Sequence, residues 1–300
     1  MQTILINAKI FENLGGGGIL ITEFARAKIN LTLDILRKRE DNFHEVRMIM
    51  QSLELADIVE LDKSSGGIIF NMIGGENLPT DENNLAVRAV LELEKFCNKK
   101  FDVEIKLTKK IPIAAGLAGG STDAAAVLRG VNKLFDLKLS SEKLCKVAEK
   151  IGSDVPYCVM GGTFLAEGRG EILTELAAIK KFSVVLIKPH GEISTAWSYK
   201  TFDAMSEINH PPTDKIIELL ADKKYSEAFQ KFSNVLEPVA LKKFPAIKIY
   251  EEQMISAGAE ISLMTGSGPT VFALVEENNL EKVFESVKDL DAQVIVTKIF

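Results

Sequence analysis

Two charged side chains in the sequence have the types that phosphoryl transfer to an alcohol needs. An attacking hydroxyl requires a carboxylate close to its proton, and a nearby cation stabilises that carboxylate and the negative charge of the transition state. Lys28 begins an alternating apolar and polar run, and Asp154 lies two residues before Pro156. Each residue also has an ordinary structural explanation, because Lys28 would suit the solvated face of a strand and Asp154 a helix cap. The pair therefore predicts phosphoryl transfer only in combination with a phosphate site.

The segment Pro112–Thr122 has the composition of such a phosphate site. It lies between a predicted strand, Phe101–Leu107, and a helix predicted to begin at one of residues 121–123. Small residues let the backbone approach a ligand closely, and free N–H groups at the start of a helix bind phosphate. The hydroxyls of the last two residues could donate to phosphate oxygens or help to hold Mg²⁺. The predicted phosphate-binding residues are Pro112, Ile113, Ala114, Ala115, Gly116, Leu117, Ala118, Gly119, Gly120, Ser121 and Thr122.

Two familiar phosphate loops do not match this segment. The Walker A loop ends in Gly-Lys-Ser or Gly-Lys-Thr, whereas Gly120 is followed directly by Ser121. The dinucleotide-binding loop needs glycine at its first, third and sixth positions, and counting from Gly116 only the first position has one. A tight strand-to-helix connection without a ligand remains the structural alternative. The density of small residues favours a ligand site.

Hydrophobic periodicity predicts a mixed α+β chain. The predicted strands are Lys28–Leu36, Met48–Asp57, Ile58–Asp62, Phe101–Leu107, Thr163–Ala166, Phe182–Lys188, Ile261–Met264, Val271–Val275 and Ala292–Phe300. The predicted helices are Leu85–Phe96, capped by Asn83 or Asn84, and Leu144–Ile151, with mainly helical sequence from Asp203 to Ala257. A boundary near residues 175–182 divides the chain into an extension at 1–20, an N-terminal domain at 21–180 and a C-terminal domain at 181–300.

Composition narrows the class of partner. A net charge of −6 over 300 residues argues against nucleic acid or an anionic membrane as a partner, because both attract basic surfaces. Three dispersed cysteines predict reduced thiols, and with no targeting segment or long apolar run we expect a cytoplasmic protein. The three histidines and dispersed cysteines support no protein-made metal site. Small molecules are the expected partners, and the oligomeric state is not readable.

The glycine-rich segment resembles the ATP loop of the GHMP kinase superfamily. The shared pattern is Pro-x-x-x-Gly-Leu-x-Gly-Gly-Ser-Thr-Asp-Ala-Ala, which begins at Pro112. Ala114, Ala115 and Ala118 stand where members often have glycine, and alanine would be strained there if the backbone needed a positive φ.

Further motifs, in the same order along the chain, resemble the 4-diphosphocytidyl-2-C-methyl-D-erythritol kinase family within that superfamily. They are Ala25-Arg-Ala-Lys-Ile-Asn-Leu, Asp41-Asn-Phe-His-Glu, Met50-Gln-Ser-Leu, Gly152-Ser-Asp-Val-Pro, Gly161-Gly-Thr, Gly168-Arg-Gly-Glu and Met264-Thr-Gly-Ser-Gly-Pro-Thr-Val-Phe. The resemblance implies the two-domain α+β GHMP kinase fold, with an N-terminal domain like ribosomal protein S5 and a ferredoxin-like C-terminal domain. It also implies transfer of the ATP γ-phosphate to the 2-hydroxyl of the diphosphocytidyl methylerythritol, with Mg²⁺ bound mainly through the ATP phosphates.

The same resemblance implies a role for each matching residue. Lys28 and Asp154 would be the catalytic pair, and Asn30 would orient the substrate polyol or the phosphates. Phe43, His44 and Tyr199 would bind the cytosine by stacking on its faces and reading its edge. Trp197 remains the alternative to Tyr199 as the stacking partner. The Gly-Ser-Gly-Pro turn after Thr265 would shape the substrate pocket.

Three readings of the function stay open. The first is the kinase acting on the diphosphocytidyl sugar alcohol, and the second is another GHMP kinase acting on mevalonate, homoserine or a sugar. Phe43 and His44, together with an aromatic residue near Tyr199, would distinguish them, because a substrate without a base needs no base-stacking pair. The third reading is an ATP-binding sensor without turnover, against which the intact Lys28 and Asp154 argue. One departure from the family is Arg26, where proline is usual.

Overall fold

Two β-sheets organise the chain, which the computed structural model describes over residues 20–75 and 78–300. The predicted extension lies outside this range, except for Leu20. The first sheet has the order β3-β4-β2-β5-β6, and β1 also pairs with β2. Its strands are β1 (Ile21–Lys38), β2 (His44–Lys63), β3 (Ile68–Ile73), β4 (Val103–Thr108), β5 (Thr163–Gly168) and β6 (Ile172–Glu175). The β3–β4 pair is parallel, and the other pairs of this sheet are antiparallel.

The second sheet is antiparallel and has the order β10-β7-β9-β8. Its strands are β7 (Ser183–Pro189), β8 (Ile261–Met264), β9 (Val271–Val275) and β10 (Ala292–Lys298). All five residues of β9 are buried, as its position between two other strands requires. The end of the chain joins this sheet to the first one. The Leu55 N–H donates to Thr297 Oγ1 at 2.8 Å, and the Phe300 N–H donates to the Ser52 carbonyl at 3.0 Å.

Helices pack on the sheets, and the alanine-rich α2 packs on β1 and β2. The helices are α1 (Leu85–Cys97), α2 (Gly119–Leu134), α3 (Ser141–Ala148), α4 (Val155–Met160), α5 (Thr195–Phe202), α6 (Thr213–Ala221), α7 (Tyr225–Phe229), α8 (Glu237–Leu241), α9 (Ala246–Ser256) and α10 (Leu280–Val287). Asn84 caps α1, because its Oδ1 accepts the Ala86 N–H at 3.0 Å. In α2, Ala124 and Ala125 are fully buried in the same apolar core as Leu61 of β2. Small side chains there let the helix approach the sheet closely.

Strand β1 is irregular on both sides of the segment from Lys28 to Asn30. Its register against β2 shifts just before Lys28 and again just after Asn30. Such bulges release backbone N–H groups from the ladder between the strands. The Lys28 N–H donates to the Leu117 carbonyl at 3.2 Å, and the Asn30 N–H donates to Thr265 Oγ1 at 2.9 Å. The backbone of β1 is therefore bonded to two segments that lie far away in the sequence.

The mixed α+β prediction is confirmed, but several predicted boundaries are wrong. Met48–Asp57 and Ile58–Asp62 form one strand. The buried Asp57 does not end this strand, because its carboxylate accepts hydrogen bonds from the Lys109 ammonium and the Ile111 N–H. The mainly helical prediction for residues 203–257 is confirmed, and turns divide this region into four helices. Strand β3 was not predicted at all. The division into domains at residue 180, which falls between β6 and β7, stays a prediction.

Candidate active site

Segments that are distant in the sequence line one cavity of about 1210 Å³. They come from β1, β2, the glycine-rich loop, the start of α4, helix α5 and the turn between β8 and β9. The predicted site residues in its wall are Lys28, Asn30, Phe43, His44, Pro112, Ile113, Ala114, Ala115, Gly116, Ala118, Gly119, Gly120, Ser121, Asp154 and Tyr199. The structure therefore brings together both predicted catalytic residues, most of the loop and all three predicted base-binding residues.

Lys28 is held firmly at the centre of this wall. Its ammonium donates to Asn30 Oδ1 at 2.7 Å and to the Gly116 carbonyl at 3.0 Å. Its backbone N–H is bonded to the Leu117 carbonyl, and its side chain is only 5% exposed. Lys28 is thus not the solvated strand charge of the alternative explanation. A buried cation anchored by two acceptors keeps a fixed direction toward the cavity.

Asp154 faces Lys28 from the opposite wall. Its Oδ2 lies 3.8 Å from Lys28 Nζ, and its side chain is 32% exposed. It stands directly before α4, where Pro156 fits the first turn, but within the described part of the chain its carboxylate makes no capping hydrogen bond. The carboxylate is therefore free to accept a hydrogen bond from a ligand, and the Lys28 ammonium lies beside it.

The glycine-rich loop adopts a conformation that its alanines resist. Ala114 and Ala118 have φ values of 51° and 58°, in the left-handed region, and Gly116 between them has φ 73°. An alanine in this region costs about 1–2 kcal/mol, which the surrounding contacts must offset. The possible strain foreseen from the sequence is therefore present at two of the three alanine positions, and Ala115 escapes it.

Helix α2 begins at Gly119, so its first free N–H groups belong to residues 119–121, which line the cavity. The helix thus starts two residues before the predicted range, because the left-handed Ala118 turns the chain into it. Ser121 lies in the cavity wall with these N–H groups. Their arrangement suits an anion, as at other helix N-termini.

Two predicted loop residues do not reach the cavity wall. Leu117 is 1% exposed and packs in an apolar core with Ile29 and Leu31. The Thr122 hydroxyl donates to the Arg26 carbonyl at 2.7 Å, and the residue is 1% exposed. The expectation that the Thr122 hydroxyl faces a phosphate therefore conflicts with its position, because the hydroxyl is engaged in fastening α2 to β1.

Aromatic and charged groups form the other end of the cavity. The rings of His44 and Tyr199 lie 4.9 Å apart, centroid to centroid, with a tilt of 43°. His44 Nε2 lies 2.6 Å from Asp203 Oδ1, and the other oxygen of Asp203 accepts from Lys38 at 2.7 Å. The hydrogen bond from Lys38, followed by that with His44, lowers the pKa of the Asp203 carboxyl. The imidazole is thus fixed in orientation by a carboxylate.

The remaining aromatic residues of this end differ in their access to the cavity. The exposed Phe43 ring lies in the wall and has the Arg169 guanidinium 5.0 Å from its centroid. Tyr199 is in the wall, whereas Trp197 is not, and the Lys243 ammonium lies 5.8 Å from the Trp197 ring. Burial, and then the charge of Asp154, raise the pKa of the Tyr199 phenol, so its hydroxyl stays neutral. The structure therefore favours Tyr199 over Trp197.

Sequence comparisons match both halves of the chain. Residues 84–162 match the family model described as GHMP kinases N terminal domain, and residues 216–292 match the model described as GHMP kinases C terminal. The 4-diphosphocytidyl-2-C-methyl-D-erythritol kinase of Geobacillus thermodenitrificans is 42% identical over 277 residues, which are 92% of this chain and 95% of that protein. The protein of the same name from Clostridium beijerinckii is 42% identical over 275 residues, covering 91% and 98%. This chain belongs to the 4-diphosphocytidyl-2-C-methyl-D-erythritol kinase family.

Solved structures agree with this family membership. A crystal structure of 4-(cytidine 5'-diphospho)-2C-methyl-D-erythritol kinase superposes with a TM-score of 0.79 and 29% identity, covering 93% of this chain and 99% of that chain. The homoserine kinase of Cytophaga hutchinsonii has a TM-score of 0.77 at 19% identity, covering 97% of both, and so shares the fold. The predicted GHMP kinase fold and the assignment of the chain as a kinase are confirmed.

Motif reasoning missed a buried charge cluster behind the loop of this kinase. Lys109 Nζ lies 2.5 Å from Asp57 and 2.6 Å from Asp123, and Lys109 also lines the cavity. Burial, against the opposing charge of Lys109, raises the pKa of the Asp123 carboxyl to about 8. The signal available in the sequence was Asp57, an acid flanked directly by Ala56 and Ile58 within β2.

Two negative findings apply to the described residues of the kinase. Across residues 20–75 and 78–300, no three His, Cys, Asp or Glu side chains are grouped so that they could hold a metal ion. No helix in this same part of the chain has the length and apolar character to cross a membrane. The expectation that Mg²⁺ arrives with the ATP phosphates stays a prediction.

Proposed function

We propose that this kinase transfers the γ-phosphate of ATP to the 2-hydroxyl of 4-diphosphocytidyl-2-C-methyl-D-erythritol, giving the 2-phosphate and ADP in the non-mevalonate route to isoprenoids. The observation that carries the proposal is one cavity with two chemically different ends. Lys28 and Asp154 lie in the same cavity wall as the glycine-rich loop and the tilted pair of His44 and Tyr199. A substrate with a base at one end and an alcohol at the other fits this arrangement.

The loop end of the cavity is where the ATP phosphates would bind. The free N–H groups of residues 119–121 and the Ser121 hydroxyl offer donors to phosphate oxygens. These donors, with the ammonium groups of Lys28 and Lys109 in the same wall, fit a triphosphate that carries a metal ion. Mg²⁺ usually keeps several waters and binds through phosphates with few protein ligands. Bound there, Mg²⁺ would neutralise charge on the phosphates.

The centre of the cavity would carry out the transfer. Asp154 would accept the proton of the attacking hydroxyl, and Lys28 would stabilise the carboxylate and the charge that develops on the transferred group. The distance of 3.8 Å between Lys28 Nζ and Asp154 Oδ2 leaves both groups within reach of a hydroxyl placed between them and the loop. Asn30, which holds Lys28 at 2.7 Å, would position the lysine and contact the polyol.

The aromatic end would select the cytidine. Tyr199 and Phe43 offer faces for stacking, and base–aromatic stacking contributes about 1–3 kcal/mol for each base. His44, oriented by Asp203, would read polar groups on the edge of the pyrimidine. A substrate without a base, such as mevalonate or homoserine, would leave this end unused. That difference favours the diphosphocytidyl substrate over other acceptors.

The cysteines and the net charge bear on where the kinase acts and on what it binds. Cys97, Cys145 and Cys158 are free thiols, and the chain has a net charge of −6. We place the kinase in the cytoplasm with ATP and the cytidine diphosphate derivative as its partners. Nucleic acid is not among them, because binding to a polyanion favours basic surfaces.

A substrate panel tests the proposal. The purified protein, ATP and Mg²⁺ are combined separately with the diphosphocytidyl alcohol, mevalonate and homoserine, and ADP release is measured in each case. We expect release with the first compound alone. Equal release with mevalonate or homoserine would rule out the proposed acceptor, and release without any acceptor would indicate an ATPase.

A further inference from the structure

The turn between β8 and β9 interlocks with the glycine-rich loop. A side chain on Gly116 would place its Cβ 2.6 Å from the Thr265 carbonyl, and one on Gly266 would lie 3.1 Å from the Gly116 carbonyl. No Cβ fits at the first distance without moving backbone. The Gly116 carbonyl is also an acceptor for the Lys28 ammonium at 3.0 Å. The position of this turn therefore determines where one of the two anchors of Lys28 lies.

Asn234 holds the turn from behind. Its Nδ2 donates to the Met264 carbonyl at 2.9 Å and to the Gly266 carbonyl at 2.8 Å, and its Oδ1 accepts the Leu236 N–H at 3.0 Å. The side chain is buried, and all three bonds go to backbone groups. An amide that uses both donors and its acceptor in this way fixes the turn at two points.

The segment that carries Asn234 is itself bonded to β1. The Leu33 N–H donates to the Ser233 carbonyl at 3.0 Å, and the Val235 N–H donates to the Leu33 carbonyl at 3.0 Å. The segment that carries Asn234 is thus bonded to Leu33, which lies five residues after Lys28 in the same strand. The turn cannot shift relative to the catalytic lysine while Asn234 keeps these contacts.

Thr265 links the turn to Asn30 of β1. Its Oγ1 accepts the Asn30 N–H at 2.9 Å, in the bulge where β1 lacks its regular register, and its own N–H donates to the Thr270 carbonyl at 2.9 Å. Thr265 is fully buried, so it does not touch a ligand in the cavity. Asn30 in turn accepts from the Lys28 ammonium. A continuous set of hydrogen bonds therefore runs from Asn234 to Lys28.

We propose that Asn234 and Thr265 are positioning residues of phosphoryl transfer, which hold the Met264–Thr270 turn and so fix both acceptors of the Lys28 ammonium. The inference rests on the proposed function, because it concerns the rate of that transfer. A displacement of about 1 Å in a catalytic group can lower a rate about 100-fold. The turnover number should therefore fall, while ground-state binding of either substrate changes little.

The first test compares Asn234→Ala with the matched control Asn132→Ala. Asn132 in α2 also uses its amide on backbone, since its Oδ1 accepts the Leu139 N–H at 3.0 Å and its Nδ2 donates to the Leu139 carbonyl at 3.1 Å. Asn132 is not in the cavity wall. For Asn234→Ala we expect kcat to fall about 10- to 100-fold, with KM for both substrates within about threefold of the wild type.

The control variant should lose a comparable amount of thermal stability but keep the wild-type kcat. An Asn234→Ala protein that is folded and retains the wild-type kcat would overturn the inference. So would an equal loss of kcat in Asn132→Ala, because the effect would then follow general destabilisation.

A second pair of variants tests the positioning role through Thr265, even if Asn234→Ala does not fold. Thr265→Val removes the hydroxyl acceptor at nearly constant shape, and Thr265→Ser keeps it. We expect kcat to fall in Thr265→Val and to be restored to within about threefold of the wild type in Thr265→Ser. Equal kcat values for the two would contradict the role given to the hydroxyl. Failure of the wild-type protein to use the diphosphocytidyl substrate would instead contradict the proposed function.

Discussion

The two ends of the cavity are built in different ways. The loop end is mainly backbone, with three left-handed residues and the open N-terminus of α2, and its residues lie within a dozen positions of one another. The aromatic end consists of side chains held by charges, and His44 meets Asp203 across 159 positions in the sequence. A phosphate accepts many donors from a continuous loop, whereas a base must be recognised by several oriented groups. The loop is therefore readable as one continuous motif, whereas the aromatic end combines a motif around Phe43 and His44 with side chains from distant segments, of which Asp203 was not predicted.

Removing the proposed base at the boundary between the two ends should have the largest effect. We expect Asp154→Asn to lower kcat by about 10²- to 10⁴-fold, because general-base catalysis contributes about that much. ATP affinity, measured by calorimetry, should stay close to that of the wild type, since the loop is untouched. An undiminished rate for this variant would refute the assigned role of Asp154.

Stacking at the aromatic end comes next. Tyr199→Ala should raise KM for the diphosphocytidyl substrate about 10- to 100-fold, in line with the loss of a base-stacking ring, and leave KM for ATP unchanged. Trp197→Ala serves as the control, because Trp197 lies outside the cavity wall. A larger effect from Trp197→Ala would show that the wrong ring had been chosen.

Loss of the carboxylate that orients His44 should have a smaller effect. Asp203→Asn is expected to raise KM for the diphosphocytidyl substrate about fivefold, through misorientation of the imidazole, with kcat little changed. Steady-state kinetics with each substrate varied in turn would separate the two constants. An increase in KM for ATP alone would place Asp203 at the wrong end.

The same variant gives a pH test of the ion pairs around Asp203. The pKa of Asp203 is lowered by Lys38 and His44, so its stabilising contribution is present above the unfolded value of about 3.9 and is lost as pH falls through the folded value. The difference in unfolding free energy between the wild type and Asp203→Asn should therefore shrink on acidification below about pH 4. A difference that grows in acid would contradict the direction of the shift.

The smallest effect concerns strain in the loop. Ala114→Gly relieves a left-handed alanine but adds freedom to the unfolded chain, so we expect a gain of at most about 1 kcal/mol in unfolding free energy. Ala115→Gly is the matched control, since Ala115 has no positive φ and is 3% exposed. That control should lose about 1 kcal/mol. Chemical denaturation measures both, and a loss at Ala114 equal to that at Ala115 would show that the alanine is not strained.

Sequence patterns and motifs predicted strand β1 and the catalytic pair, but not the orientation of the Thr122 side chain. The alternating run at Lys28–Leu36 correctly indicated a strand, although β1 extends further because its outer residues pair with β2. Lys28 and Asp154 were predicted to meet, and they do so at 3.8 Å. The hydroxyl of Thr122 was misplaced, because periodicity does not show which side of a helix faces a ligand and which faces β1.

The hydrogen bonds that connect β1, the glycine-rich loop and the turn after β8 were not predicted from the sequence. Asn30 and Thr265 are separated by 235 positions, and Asn234 and Gly266 by 32. Asn30, Thr265 and Gly266 lie in motifs noted above, but no local pattern shows which residue each one contacts, because these contacts form only when sheet, loop and turn pack together. A bulge in β1, which frees the Asn30 N–H, also leaves no periodic signal of its own.

The bulges of β1 have a consequence for the order in which activity arises during synthesis. A chain released from the ribosome after residue 180 would already contain Lys28, Asp154 and the whole glycine-rich loop. It would lack the Thr265 hydroxyl that receives the Asn30 N–H, and it would lack the turn that presses on Gly116. We therefore expect no catalysis from this shorter chain, because the contacts that position Asn30 and Gly116 come from residues 181–300 and form only after these residues have been made and folded.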